Sequence, residues 1–140
     1  MSFLLDTNVV SGMRRKDRLP ARALEWLQRQ PVDDLHISVL TMMEIEIGIQ
    51  LVARRDAKQA ATIRAWKEGP LMREFRDRIL AVDLQVAERC AALHVPDRRP
   101  AIDALIAATA IVNRLALVTR DERDFAGLPV RVVNPWNEAR

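Results

Sequence analysis

Residues 101–112, Ala-Ile-Asp-Ala-Leu-Ile-Ala-Ala-Thr-Ala-Ile-Val, constrain the fold more than any other stretch. Pro100 or Ala101 opens a helix here that reaches Asn113, and its apolar residues go all the way round. Such a helix is buried on most sides, so the rest of the chain has to cover it. Its only charge is Asp103. A lone charge in an apolar helix is costly unless something compensates it.

The covering layers read as short strands alternating with helices. Residues 2–5 form a buried strand that ends at Asp6, and Thr7–Met13 is a short helix. Arg14-Arg15-Lys16-Asp17-Arg18 is a charged loop. It is either solvated surface or a phosphate-contacting patch at the rim of a site. Residues 21–30 place Ala23, Leu24, Trp26 and Leu27 on one helix face, and Pro31 stops that helix. Asp33 and Asp34 are turn residues before a second strand, Leu35–Leu40, in which His36 is a polar strand position.

Met43 to Leu51 alternates like a strand. Joined to 35–40 it would make one strand of about 17 residues, far beyond the usual range. Thr41-Met42-Met43-Glu44 instead fits a capping box, with Thr41 as cap and Glu44 in the first helical turn. Ile45, Ile49 and Val52 then share a face. A polar helix over 56–67 turns Ala60, Ile63 and Trp66 inward and is broken by Gly69-Pro70. A second helical piece follows to about Arg78. Ile79–Val82 is a third strand. Asp83 caps a helix over 84–93 with Val86, Ala87, Cys90 and either Ala91 or Leu93 inward, and His94 ends it in a structural role. Leu115–Thr119 is a fourth strand, ended by Arg120 and Asp121. Arg123-Asp124-Phe125 makes a turn or short helix. Val130–Val133 is a last short strand, and Asn134-Pro135-Trp136 closes the domain. The fold class expected is α/β, in three layers α/β/α, with a central parallel sheet of four to five short strands and one domain over residues 1–140.

Composition narrows the function classes. The chain of 140 residues has one cysteine, Cys90, so it can form no intrachain disulfide and no cysteine zinc cluster; Cys90 reads as core filler. No apolar run approaches a membrane span and no signal peptide is evident, which favours a cytoplasmic home and no membrane partner. Lys and Arg number 22 against 19 Asp and Glu, a net +3 that is compatible with a phosphate-bearing partner without demanding one. Basic and aromatic residues do not interleave along the chain, so no base-stacking platform is evident.

In a parallel sheet flanked by helices, helix N-termini and strand C-termini share one edge. Asp6, Glu44, Asp103, Asp121 and Asp124 all fall on that edge. Each has a bland reading as a cap or turn residue, but Asp103 strains it. Glu46 lies about 200° round the helix from Glu44, so both cannot face one site. Four carboxylates in one pocket repel by ~4 kcal/mol per pair at 4 Å and an effective dielectric of about 20. Oxygen ligands of this kind suit Mg²⁺ or Mn²⁺, and such a site supports phosphodiester hydrolysis.

At these residues the sequence resembles a PIN domain, specifically the VapC-like toxins, including the FitB-like group. Leu4-Leu5-Asp6-Thr7-Asn8 looks like the family's first motif, and Ser38-x-x-Thr41-x-x-Glu44 with Gly48 like its second. Ile102-Asp103-x-x-Ile106-Ala107-Ala108-x-Ala110 is similar to its third. Val118-Thr119-Arg120-Asp121-x-x-Asp124-Phe125 and Val133-Asn134-Pro135-Trp136 complete the match. Asp121 stands where many relatives have Asn.

The resemblance implies a Mg²⁺- or Mn²⁺-dependent endoribonuclease, the toxin of a toxin–antitoxin pair, which hydrolyses RNA phosphodiesters with water activated by the ion. Asp6, Glu44, Asp103 and Asp121 would hold one or two ions, with Asp124 a further candidate. Thr7, Asn8, Thr119 and Arg120 would orient ligands or substrate, and Arg14, Arg15, Lys16 or Arg120 would contact phosphate. Implied partners are a cognate small antitoxin, operator DNA reached only through that antitoxin, the RNA substrate and a second copy in a homodimer. Two alternatives stand beside it. An aspartyl phosphatase needs a second Asp two residues after the first, where this chain has Asn8. A non-catalytic scaffold would use the same fold to bind an antitoxin or nucleic acid.

Overall fold

The computed structural model of the protein describes residues 1–137; the expected domain end at residue 140 lies outside the described residues. Five strands form one sheet: β1 Phe3–Leu5, β2 Leu35–Ser38, β3 Ile79–Leu80, β4 Ala116–Val118 and β5 Val132–Val133. All neighbours pair parallel, in the order β3-β2-β1-β4-β5. The expected parallel sheet of four to five short strands is therefore what forms. The strands are shorter than their apolar runs, because residues such as Leu115 and Val130 lie outside the paired registers.

Among the described residues seven α-helices cover the sheet: α1 Thr7–Arg14, α2 Ala21–Arg29, α3 Val39–Ala53, α4 Ala57–Trp66, α5 Met72–Phe75, α6 Leu84–Leu93 and α7 Ala101–Val112. Strand side chains alternate between two apolar layers. Phe3, Leu5, Leu35, Ile37, Ala116 and Val118 join Trp26, Leu27, Ile45, Ile49 and Phe75 on one face. Leu4 and Leu117 join Val86, Cys90, Leu93 and the buried face of α7 on the other. Every residue of β1 is buried, which is why this strand reads as a continuous apolar run rather than an alternating one. On α7, Ala104, Ala107, Ala108 and Ala110 are fully buried, and their small side chains let the helix lie close to its neighbours. Arg114 ends it by adopting φ 57°, and Leu115 N–H returns to the Ala110 carbonyl at 2.8 Å.

Several expectations are corrected. The second strand stops at Ser38, not Leu40, and Ser38 rather than Thr41 caps α3, its hydroxyl accepting from Leu40 N–H at 3.0 Å. Glu44 accordingly lies in the second turn, not the first. Ser38 wins because helix begins as soon as β2 loses its partner, which leaves Thr41 fully buried inside the helix. The period-two pattern of 43–51 splits across the helix: Ile45 and Ile49 are buried, while Met43, Ile47 and Leu51 form an outer row. Gly69-Pro70 does not break the chain. A π-helical turn, Lys67–Leu71, carries it from α4 into α5, since the widened turn accommodates Pro70 without a donor. On α6, Leu93 is buried, whereas Ala91 and the expected Ala87 face solvent.

Candidate functional site

The site is built where the sheet changes direction. Strands β1 to β3 extend to one side of β1, and the chain then crosses to place β4 and β5 on the other. Ligands in open parallel sheets bind beyond the strand carboxyl ends at such a switch point. Asp6 sits there, directly after β1, with its N–H donating to the Val118 carbonyl of β4 at 2.9 Å. Asp6 is buried, 8% exposed.

Three neighbours hold its carboxylate. Oδ1 accepts from Thr7 N–H at 2.8 Å, so Asp6 also caps α1. Oδ2 accepts from the buried Thr119 hydroxyl at 2.8 Å and from Asn8 Nδ2 at 3.4 Å. Asn8 Nδ2 in turn donates to Asp121 Oδ2 at 3.0 Å, and Asn8 Oδ1 accepts from Arg120 N–H at 3.3 Å. Thr119 Oγ1 accepts from Asp121 N–H at 3.0 Å. The residues after β1 and after β4 are thus one hydrogen-bonded unit.

Glu44 enters from α3 through hydroxyls. Thr7 Oγ1 donates to Glu44 Oε1, and Thr7 Oγ1 and Thr41 Oγ1 are 3.1 Å apart. One hydroxyl carries one proton, so Thr41 is the donor of that second bond. The sequence pattern points to Thr41 as a cap and does not reveal this placement. The stripe Thr41, Ile45, Ile49 at four-residue spacing carried the signal once Ser38 is taken as the cap. Asn134, beyond β5, was also passed over as a site residue. Its buried side chain donates to the Arg120 carbonyl at 3.2 Å and to Glu122 Oε2 at 2.9 Å.

Asp103 lies in the first turn of α7, half-buried. Burial, and then the negative charges of Asp124, Asp6, Glu44 and Asp121, push its carboxyl up to about 6. Burial likewise raises Asp6; the Thr119 and Thr7 hydrogen bonds oppose this, and the charges of Glu44 and Asp121 add to it. The other four sequence-predicted acids thus all act on Asp103, and two of them, Glu44 and Asp121, also act on Asp6. Among the described residues, none of the five forms a salt bridge. Nor is any group of three acidic, histidine or cysteine side chains drawn in tightly enough to hold an ion as it stands. The donor set is all oxygen, which fits a hard divalent cation.

The remaining charged groups go elsewhere. Glu46 points away from the site, as its helical angle requires, and binds Arg64 at 2.9 Å and Lys67 at 2.8 Å. Those cations hold its carboxyl well below the usual carboxylate range. Arg15 turns to Asp17 at 3.5 Å. His36 is half-buried in β2 with no hydrogen-bond partner for Nδ1 among the described residues. His94 accepts Arg99 N–H on Nδ1 at 3.1 Å, a structural role.

A sequence profile described as the PIN domain matches residues 3–130. The VapC ribonuclease Y4jK of Sinorhizobium fredii is 30% identical over 143 residues, covering 98% of this chain and 99% of that protein. The toxin FitB of Neisseria gonorrhoeae is 31% identical, covering 97% and 99%. The crystal structure of FitAcB from the same organism has a TM-score of 0.84 at 32% identity, covering 97% of this chain and 99% of that one. A toxin–antitoxin complex from Klebsiella pneumoniae has a TM-score of 0.68 at 32% identity, covering 96% and 98%.

Proposed function

The chain belongs to the PIN-domain family, and on that premise we propose that it is a divalent-metal-dependent endoribonuclease, the toxin of a toxin–antitoxin pair, working as a single domain over residues 1–140. One observation carries the reading: Asp6, Glu44, Asp103 and Asp121 converge on the switch-point edge, where the charges of the others raise the proton affinity of Asp103 and those of Glu44 and Asp121 add to that of Asp6, and among the described residues none of them pairs with a cation. Relatives described as a VapC ribonuclease and a toxin support it.

Asp6, Glu44, Asp103 and Asp121 are the residues proposed to hold Mg²⁺ or Mn²⁺, with Asp124 beside Asp103 as a further contributor. When bound, the ion supplies the charge neutralisation and Lewis acidity that phosphodiester hydrolysis needs. Thr119 and Thr7 N–H aim the Asp6 oxygens, and Thr41 donates a hydrogen bond to Thr7 Oγ1, which leaves the Thr7 hydroxyl proton directed at Glu44. Asn8 holds Asp121 and the Arg120 backbone in register. Such supporting hydrogen bonds orient ligands and tune their affinity. Arg120 contacts phosphate at the rim, with Arg14, Arg15 and Lys16 as more distant candidates.

The proposed partners are a small cognate antitoxin, through which operator DNA is reached, and a second copy of the chain. Val39, Met43, Ile47 and Leu51 support the homodimer: they form an exposed apolar row along α3, 39–58% accessible. No helix among the described residues is long and apolar enough to cross a membrane, and the cytoplasm is the proposed compartment.

The test is cleavage of an unstructured RNA panel with Mg²⁺ or Mn²⁺ by wild type and Asp6→Asn. Wild type is expected to cleave only with the metal, and the variant to lose at least about a hundredfold in rate. Equal cleavage by both refutes the site. Calorimetry showing no binding of either metal, even with RNA present, would favour a scaffold.

A further inference from the structure

Trp136 lies three residues beyond β5, and its position is set by polar contacts as well as apolar ones. Asn134 Oδ1 accepts from Trp136 N–H at 3.0 Å, while the same amide's Nδ2 grips the Arg120 carbonyl and Glu122. The buried amide thereby ties the indole to the loop that carries Asp121. The Arg120 guanidinium lies over the indole ring, 5.9 Å from its centroid. Arg22, at the start of α2, donates to the Trp136 carbonyl at 3.4 Å. Arg120, Arg123, Asn134, Trp136 and Asn137 line a cleft of about 740 Å³ whose wall also includes Asp121 and Asp124.

A purely structural reading has Trp136 closing the domain, and the ring does pack partly against the core. That reading leaves the rest unexplained. Among the described residues, Arg120 and Arg123 make no salt bridge, although Asp121, Glu122 and Asp124 line the same cleft. An aromatic face covered by a movable guanidinium, with further guanidiniums around it, is the chemistry that binds single-stranded nucleic acid: bases stack, and arginines take phosphate. The cleft volume lies in the range of small-molecule sites.

We infer that the cleft between Arg120 and Trp136 is a nucleobase subsite, which receives an unpaired base beside the scissile phosphate of an RNA strand. This rests on the nuclease reading above. Trp136 supplies the stacking surface, Arg120 stacks or shifts onto the adjoining phosphate, and Arg123 and Arg22 hold the backbone at the rim. The subsite would make cleavage depend on a base next to the cut, and exclude duplex RNA, whose bases are already stacked.

The experiment compares RNA oligonucleotides that wild type cleaves with the same oligonucleotides made abasic at each position flanking the cut. Loss of one flanking base is expected to raise KM about tenfold for wild type, within the range of one stacked base. Trp136→Leu and Arg120→Gln are expected to remove most of that discrimination, and Trp136→Phe to restore part of it. Arg120→Gln leaves the packed indole in place, so it covers the case in which Trp136→Leu fails to fold. Discrimination that is absent in wild type, or unchanged in Arg120→Gln and Trp136→Phe/Leu alike, overturns the subsite while cleavage itself stands. If the variants weaken binding to a partner protein but leave RNA kinetics unchanged, the cleft is a protein interface and the subsite is wrong. If wild type cleaves no RNA with either metal, the nuclease reading falls and the subsite falls with it.

Discussion

Replacing Asp103 with Asn should make the metal-free protein more stable while destroying its use of a divalent ion. The wild-type carboxyl is raised from 3.8 to about 6, first by burial and then by the charges of Asp124, Asp6, Glu44 and Asp121. Below pH 3.8 the group is protonated in folded and unfolded chains alike, and it has no effect. Between 3.8 and about 6 the unfolded chain gives up its proton first, so stability falls as pH rises. Above about 6 the whole penalty is present. Two pH units at 1.36 kcal/mol each give an upper value of about 3 kcal/mol. Partial exposure of the side chain screens this to about 1–2 kcal/mol. Asn keeps the shape without the charge, so it should gain that amount at pH 7–8, or about 3–8 °C in melting temperature. Thermal melts in EDTA at pH 4, 5, 6, 7 and 8 check this: the two proteins should coincide near pH 4 and separate as the pH rises. Added Mg²⁺ or Mn²⁺ should raise the wild-type midpoint and leave Asp103→Asn almost unmoved. A variant less stable than wild type in EDTA at pH 8, or a difference independent of pH, would refute the electrostatic account of the site.

Other consequences are as direct. Thr7→Val removes the donor to Glu44 and strands the Thr41 hydroxyl, and should weaken Mn²⁺ affinity about 10- to 100-fold by calorimetry. Thr41→Val should do the same more mildly, whereas a helix-capping Thr41 would give no change. Ser38→Ala deletes the true cap and should cost about 1–2 kcal/mol in urea unfolding without altering the metal titration. Glu46→Gln breaks the contacts to Arg64 and Lys67 and should lower the melting temperature slightly, less so at high salt, with RNA cleavage unchanged.

The chain alone was enough to indicate a parallel α/β sandwich. Apolar runs of three to five residues alternate with helices, and one helix is apolar all round, so only layers on both faces of a parallel sheet bury them all. The same logic put Asp6, Glu44, Asp103, Asp121 and Asp124 on one edge, because strand ends and helix starts must share it. The helical angle between Glu44 and Glu46 means that both cannot face one site. Local competition was not legible. Ser38 and Thr41 are both good caps, and the choice between them depended on where β2 ran out of partner in β3. The role of Thr41 followed from that choice. The π-helical turn at Gly69-Pro70 was equally hidden, since Gly-Pro reads as a break unless packing on both sides keeps the chain helical.

The cleft around Trp136 is where the two sources of information part most clearly. Along the chain Arg22, Arg120, Arg123 and Trp136 are scattered, and basic and aromatic residues do not interleave. The order of strands brings β4 and β5 side by side, Asn134 ties their exits together, and α2 brings Arg22 to the Trp136 carbonyl. Periodicity within one element is set by covalent geometry and can be read from the sequence. Proximity between elements is set by strand order and by the few polar side chains that join loops, and only the folded chain decides it.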